Sequence, residues 1–422
     1  MIIREDQRFH EKVYILKLKN GMEVHMLPKE DPYYSTYVEL SFPFGSNHLA
    51  YKKDGLIHRY PPGSAHFMEH KIFAMPDGDA FMKFSNLGVD ANAMTSYQQT
   101  SYVFNATSNV LDALKLLLNM LDTPYFTKEN IMSEEKIIAE ELKMYLDDIE
   151  TELYQDLMTS MYKNHPFKWD IGGTLESIKN IDKEVLTDIF HQFYHPSNRL
   201  LVIAGKIDIK KMKVFFKAYD QFEKHKIPKI YQVNEPKSVV CKEIVKQKQV
   251  SISKLALGFK LKSRYRNGIE DIKNELTYSI LFNLLLGTSS NLYHDLLEKQ
   301  LINQNFYISS TFEGHQAHFV IFSDTKDPQF LKDYLITQLS LAKDNLLSLD
   351  AFNRYIKVYI GQFIFALNSV EHQAYLYSKY YHRHAHLYEV IDIVQSITYN
   401  DILLTYNDFI KAPNSSVIYK KD

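Results

Sequence analysis

Apolar and polar positions alternate over residues 13–19, break at Asn20-Gly21, and alternate again over 23–28. Period two on both sides of a favoured two-residue turn predicts a β-hairpin. The unbroken apolar and aromatic run at 37–44 predicts a third strand. Helical spacing then dominates to about Tyr162, interrupted by a strand-like stretch at 92–106. Residues 224–238 hold Pro228, Pro236, scattered charges and no clean period, which reads as a linker. Alternation resumes at 239–245 and 250–261, so the second half also opens with strands.

The two halves end alike. Ser177-Ile178 leads to a helical stretch headed by Asp182, then His195-Pro196-Ser197-Asn198 and an apolar strand at 200–204. Ser396-Ile397 leads to a helical stretch headed by Asp401, then Pro413-Asn414-Ser415 and a strand at 417–419. Self-similarity at roughly 220 residues points to a duplicated α+β domain and not to a solenoid of short repeats. The expected organisation is a domain at 1–223, a linker at 224–238 and a homologous domain at 239–422.

Composition narrows the function classes. Lys+Arg 49 against Asp+Glu 51 leaves a net charge of −2, which gives no electrostatic footprint for nucleic acid. Cys241 is the sole cysteine, so neither a disulfide framework nor a cysteine-based metal site is available. No phosphate-cradling or dinucleotide fingerprint occurs. Residues 1–18 carry charges throughout, and apolar runs such as 200–205 and 284–287 are far too short to span a membrane. These features predict a soluble, cytoplasmic chain.

The stretch Ser64-Ala65-His66-Phe67-Met68-Glu69-His70 carries the candidate chemistry. Gly63-Ser64 makes an N-cap, and helix formers follow. On a helix, His66 and His70 stand at i and i+4, so both imidazoles leave one face and can grip one zinc ion. Glu69 is adjacent, where a carboxylate can deprotonate a zinc-activated water; this is the inverse of the H-E-x-x-H order. Two histidines and a glutamate also occur together by chance, and a catalytic zinc needs a third protein ligand.

A helical stretch after Thr127 offers one. Ile131, Ile138, Leu142, Tyr145 and Ile149 form one stripe, with Glu134 about 40° and Glu141 about 60° from its centre. Glu140 lies about 160° away, facing water. Glu141 is the better ligand and Glu134 an acid behind the ligands, because a buried carboxylate needs a metal or a partner. The competing reading is that both acids line a solvated shoulder.

His66-Phe67-Met68-Glu69-His70, Asn92-Ala93-Met94-Thr95-Ser96 and the pair Glu134 and Glu141 closely resemble the pitrilysin/insulinase metallopeptidases. Within that family the chain is similar to the half-length members: the mitochondrial processing peptidase beta subunit and bacterial insulinase-like peptidases. Gly173-Thr174-Leu175-Glu176-Ser177-Ile178 and Tyr194-His195-Pro196-Ser197-Asn198 continue the resemblance. It implies a LuxS/insulinase-like metallohydrolase fold of two homologous α+β domains, each a mostly antiparallel sheet packed with helices. It further implies a zinc endopeptidase acting on peptides or extended protein segments, with one Zn2+ per chain. His66, His70 and Glu141 would be ligands, Glu69 the general base and Glu134 the auxiliary acid. The strand holding Asn92 and Ala93 would pair with the substrate backbone.

One departure bears on partners. The family's second domain, or its partner chain, supplies an arginine followed seven residues later by a tyrosine. The corresponding stretch here, 289–307, contains no arginine; Leu297 stands in its place, and Tyr307 lacks the spacing. The chain therefore reads as the zinc-bearing half of a heterodimer whose zinc-less paralogue supplies that pair; a homodimer is the other arrangement. The alternative function is a non-catalytic, zinc-holding scaffold or chaperone-like subunit. His382, His384 and His386, within a stretch read as helix over 374–394, form a weaker ligand candidate, as do His315 and His318.

Overall fold

The computed structural model describes residues 1–30, 32–220, 223–263 and 268–422. Two compact units emerge. Unit 1 comprises Met1–Met144, Trp169–Gln232 and Ala366–His382; unit 2 comprises Tyr145–Lys168, Val233–Phe365 and Arg383–Asp422.

Unit 1 is organised by a seven-stranded sheet of β1 (Ile2–Asp6), β2 (Glu11–Lys17), β3 (Glu23–Pro28), β4 (Thr36–Phe42), β5 (Asp90–Thr95), β6 (Thr100–Ala106) and β7 (Leu200–Gly205). Their spatial order is β1-β2-β3-β7-β4-β6-β5, antiparallel throughout except for the β3–β7 pair. The predicted hairpin is β2–β3, but its connection is longer than two residues. Leu18 N–H donates to Met22 O, and Gly21 takes φ of +94°, which a side chain would resist. β7 is buried at every position, as expected for a central strand with apolar residues on both faces. Val38, Leu40 and Phe42 of β4 enter the main core with Phe67, Met68 and Ile72 of α1 (Ser64–Ile72).

α2 (Lys128–Asp147) and α3 (Ile149–Met161) follow in sequence. Unit 2 holds a five-stranded sheet of β8 (Glu243–Lys248), β9 (Lys254–Leu261), β10 (Tyr307–Glu313), β11 (Gln316–Asp324) and β12 (Asn414–Lys421), in the order β8-β12-β9-β11-β10. Only the β8–β12 pair is parallel. α4 (Gly268–Leu286) packs beside β10, and α5 (Leu349–Ala366) precedes α6 (Val370–His382).

The units are discontinuous in sequence and do not coincide with residues 1–223 and 239–422. α3 covers β9 and β12 of unit 2, and α6 covers β4 and β7 of unit 1, so each sheet takes one helix from the other half of the chain. Residues 224–238 are anchored and not a loose linker. Lys229–Ile230 pairs with Ala50–Lys53, and buried Glu235 accepts three successive backbone N–H groups, from Lys163, Asn164 and His165. Glu235 also pairs with Lys260 at 2.8 Å.

The helix read over 374–394 breaks in two. α6 ends at His382, His384 takes φ of +60°, and a new helix runs Glu389–Gln395. Arg383 is drawn to Asp271 at 2.7 Å and to Glu275, which diverts the backbone between the helices. Among the described residues, no helix is long and apolar enough to cross a membrane.

Candidate metal centre

α1 begins at Gly63, whose φ of +89° is left-handed and whose Cβ would stand 2.3 Å from Gly172 O. Glycine is therefore the cap, and Ser64 is the first helical residue, its hydroxyl donating to Pro61 O at 2.7 Å. Burial of Phe67, Met68 and Ile72 fixes the helix rotation. Ile131, Ile138 and Leu142 do the same for α2. The predicted stripe stops there: Tyr145 is exposed, and Asp148 caps α3, so Ile149 belongs to the next helix.

These rotations bring His66, His70 and Glu141 together. His66 Nε2 lies 3.8 Å from Glu141 Oε1 and His70 Nε2 3.6 Å from Glu141 Oε2. One donor atom from each residue falls within 4.8 Å of the others, the single such cluster of three or more candidate ligands among the described residues. Donors about 2.0–2.2 Å from one tetrahedral zinc stand roughly 3.3–3.6 Å apart, so a set lying within 4.8 Å needs to close by little more than an ångström at most. Two imidazoles and one carboxylate are also a donor set that zinc accepts. Glu140 is exposed and pairs with Lys143 at 2.7 Å, as the stripe predicts.

Outer groups complete the site. Glu134 Oε1 is 3.1 Å from His70 Nδ1, and its Oε2 is 3.5 Å from Lys71 Nζ. Lys71 is 2% exposed, and its ammonium partly offsets the excess of carboxylates. Burial, then the charge of His70, holds His66 down to about 4. Burial also disfavours charge on His70, but Glu134 outweighs it and keeps the His70 pKa above its ordinary value. Burial opposes charge on Glu134 too, yet His70 and Lys71 together lower its pKa. Glu69 is buried, which raises its pKa, and it accepts a hydrogen bond from Thr95 Oγ1 of β5.

β5 is the edge of its sheet, paired on one side by β6. Asn92 and Ala93 lie on it, and the Asn92 carboxamide oxygen accepts the Ala93 N–H at 2.8 Å. Beside them opens a cavity of about 550 Å³ lined by Phe73, Met75, Phe81, Tyr125 and Ile137, with Glu69, His70 and Glu134 at its polar side. Neither motif nor spacing marks out Thr95's bond to Glu69, Lys71 or this cavity. Lys71 gave a signal: a lysine beside apolar Phe67, Met68 and Ile72 in a nine-residue helix is expensive to bury unless an acid awaits it.

The histidines at 382–386 form no such set. His382 Nε2 is 2.8 Å from Ser41 Oγ in unit 1, while His384 and His386 belong to unit 2. His318 is buried with its Nδ1 3.0 Å from Tyr162 Oη.

Comparison with known proteins identifies the family. Residues 58–175 match the family model for insulinase (peptidase family M16), and residues 180–359 match that for the peptidase M16 inactive domain. The Bacillus subtilis (strain 168) protein named "Uncharacterized zinc protease YmfH" is 34% identical over 425 residues, covering 98% of this chain and 97% of that one. A crystal structure of an M16-like peptidase from Alicyclobacillus acidocaldarius superposes with a TM-score of 0.92 at 26% identity, over 98% of this chain and 99% of that chain. The periplasmic protease PqqL from Escherichia coli shares the fold at a TM-score of 0.77 and 16% identity, over 99% of this chain but 48% of that chain. With an α+β architecture in two units and a zinc-protease relative matched from end to end, the chain belongs to the insulinase family of peptidases, family M16.

Proposed function

We propose that this chain is a zinc-dependent endopeptidase for peptides or extended protein segments, and the catalytic subunit of a two-chain enzyme. The observation that carries the reading is the convergence of His66 Nε2, His70 Nε2 and the Glu141 carboxylate, with the buried Glu69 next to His70 on the same helix. His66, His70 and Glu141 would hold one zinc ion. Bound there, zinc would supply Lewis acidity to the scissile carbonyl and to a water.

Glu69 takes the proton from the attacking water and returns it to the leaving amine as the C–N bond breaks. Burial raises its pKa toward the range in which a carboxyl both accepts and gives a proton, and the Thr95 hydroxyl fixes its orientation. Glu134 accepts from His70 Nδ1–H, leaving Nε2 for the metal. The free edge of β5 pairs with substrate backbone once Asn92 releases the Ala93 N–H. The apolar cavity takes a large side chain from the substrate. The scaffold reading gives no reason to bury an acid at Glu69 beside a metal set.

The partner we infer is a paralogue without the histidine motif, carrying the arginine and tyrosine that 289–307 lacks. A free, exposed Cys241 fits a reducing compartment such as the cytoplasm. The deciding experiment is Glu69→Gln in the assembled enzyme. Zinc content should stay at one per chain while turnover falls ~10²–10⁴-fold. Full activity with zinc retained would overturn the mechanism.

A further inference from the structure

The two histidines are supported unequally. His70 Nδ1 meets Glu134 at 3.1 Å, whereas His66 Nδ1 is buried with no hydrogen-bond partner among the described residues. Both rings turn Nε2 toward Glu141, so in neutral imidazoles serving a metal the proton sits on Nδ1. His66 then carries a buried donor that nothing accepts, an arrangement that proteins seldom leave unmade.

The turn that follows Trp169 lies against that nitrogen. Asp170 O accepts from Gly173 N–H at 2.9 Å, and Asp170 Oδ1 accepts from Gly172 N–H at 2.7 Å. The point where a Cβ on Gly172 would stand is 3.0 Å from Leu142 Cδ2, 3.2 Å from Asp170 Oδ1 and 3.5 Å from His66 Nδ1. Carboxylate and imidazole thus face one small space, kept open because residue 172 has no side chain. The turn is also pressed onto the start of α1, since a Cβ on Gly63 would collide with Gly172 O.

We propose that Asp170 is the positioning residue for His66: its half-buried carboxylate accepts the Nδ1–H across the space beside Gly172, directly or through one water, as Glu134 does for His70. A carboxylate has about four lone-pair directions, and the bond from Gly172 N–H uses one. The role follows from the zinc reading of the site and extends it: one acid from α2 and one from a glycine turn lock the two rings in the same tautomer. Gly172 is then required for space and not for turn conformation, because only Gly173 of the two has a positive φ, +87°.

The test uses the full chain with two probes. Zinc affinity is measured by competition with a chromophoric chelator, and the exchangeable imidazole N–H protons are observed in the cobalt-substituted protein. Wild type should show two such signals, and Glu134→Gln identifies the one from His70. Asp170→Ala should lose the other to solvent exchange and weaken zinc binding ~10–100-fold, the range typical of outer-sphere partners. Asp170→Asn keeps an acceptor oxygen for Gly172 and should fall between. Gly172→Ala fills the space with the carboxylate intact and should also disturb the His66 signal alone. Zinc affinity and both N–H signals unchanged in Asp170→Asn and Gly172→Ala would overturn the inference while leaving the zinc site standing. A wild-type chain that takes up no zinc would sink the underlying reading itself.

Discussion

Unit 1 and unit 2 run the same strand path and put different chemistry on it. The order β3-β7-β4-β6-β5 matches β8-β12-β9-β11-β10, down to the single parallel pair. α1 lies beside β5, and α4 lies beside β10. α1 presents His66, Glu69 and His70; α4 buries Ile272, Leu276, Tyr278 and Leu281 and has no histidine. α2 brings Glu134 and Glu141, whereas α5 has Asp350 as its sole acid. One scaffold therefore carries a set of candidate zinc ligands in one copy and plain packing in the other, and five side chains mark the difference.

The largest expected effect attacks that difference directly. Glu141→Gln should weaken zinc binding by well over the ~10–100-fold typical of an outer partner, while Glu134→Gln should lower turnover and keep most of the metal. Glu140→Gln, on the water-facing side of α2, should bind zinc as wild type does. Metal content of the three variants, measured side by side, checks the order. Dependence on Glu140 alone would mean that α2 is rotated in solution and that the two units differ less than their side chains imply.

A somewhat smaller effect sharpens the comparison from the side of unit 2. Its helix Asn291–Glu298 carries the exposed Leu297, and Tyr307 opens β10 with its ring stacked on Phe322 at 4.8 Å. Loss of one preorganised oxyanion donor costs ~10²–10³ in turnover. The purified chain should bind zinc normally yet cleave unstructured peptides that much more slowly than when a paralogue bearing the arginine–tyrosine pair is added. Robust zinc-dependent turnover by the chain alone would mean that unit 2 supplies its own donor. The heterodimer would then be dropped, and Tyr307→Phe would be the next variant.

What was legible in the sequence was local. The β2–β3 alternation, the Asp182 cap on the helix Lys183–Phe193 and the stripe Ile131, Ile138, Leu142 each follow from neighbours a few residues away. Asp401 shows the grain of such reading: it sits three residues into its helix, closing a capping box with Thr398, and is not itself the cap. Periodicity ran on through Tyr145 and Ile149 because a spacing rule cannot sense the cap at Asp148. β1 and the hairpin Ala50–Lys53 with Leu56–Arg59 escaped because their positions are mostly exposed and carry no alternation. The exchange of α3 and α6 between halves depends on contacts hundreds of residues apart, such as Ser378 with Glu39, which no local pattern encodes. The centre was easier than the fold around it, since i,i+4 histidines need one helix. The support behind His66 needed a turn about a hundred residues away.

The smallest effect concerns a position where the two copies can be aligned residue by residue. Glu39 on β4 faces Val202, the sixth residue after Pro196; Lys254 on β9 faces Tyr419, the sixth after Pro413. Lys254 is held as a cation by Asp324 at 2.6 Å and by Glu150. Glu39 is fully buried and, among the described residues, makes no ion pair; it accepts from Ser378 at 2.6 Å, Ser101 at 2.9 Å and Gln99 at 3.0 Å, while its Oε2 has no partner among them. Burial raises its pKa, and the three hydrogen bonds offset that only in part. The native state thus keeps a proton that the unfolded chain gives up near pH ~4.3. Native protein then binds more protons than unfolded protein, so this group's contribution is complete below about pH 4.3 and is lost as pH rises through the native pKa. Glu39→Gln has no such proton to lose. Its melting temperature relative to wild type should climb between pH 4 and pH 7, by roughly 2–4 °C if about 1 kcal/mol is recovered in a unit of this size. A parallel pH dependence in the two proteins would mean that Glu39 is ionised in the native state, and that both units bury a full charge at this one register position.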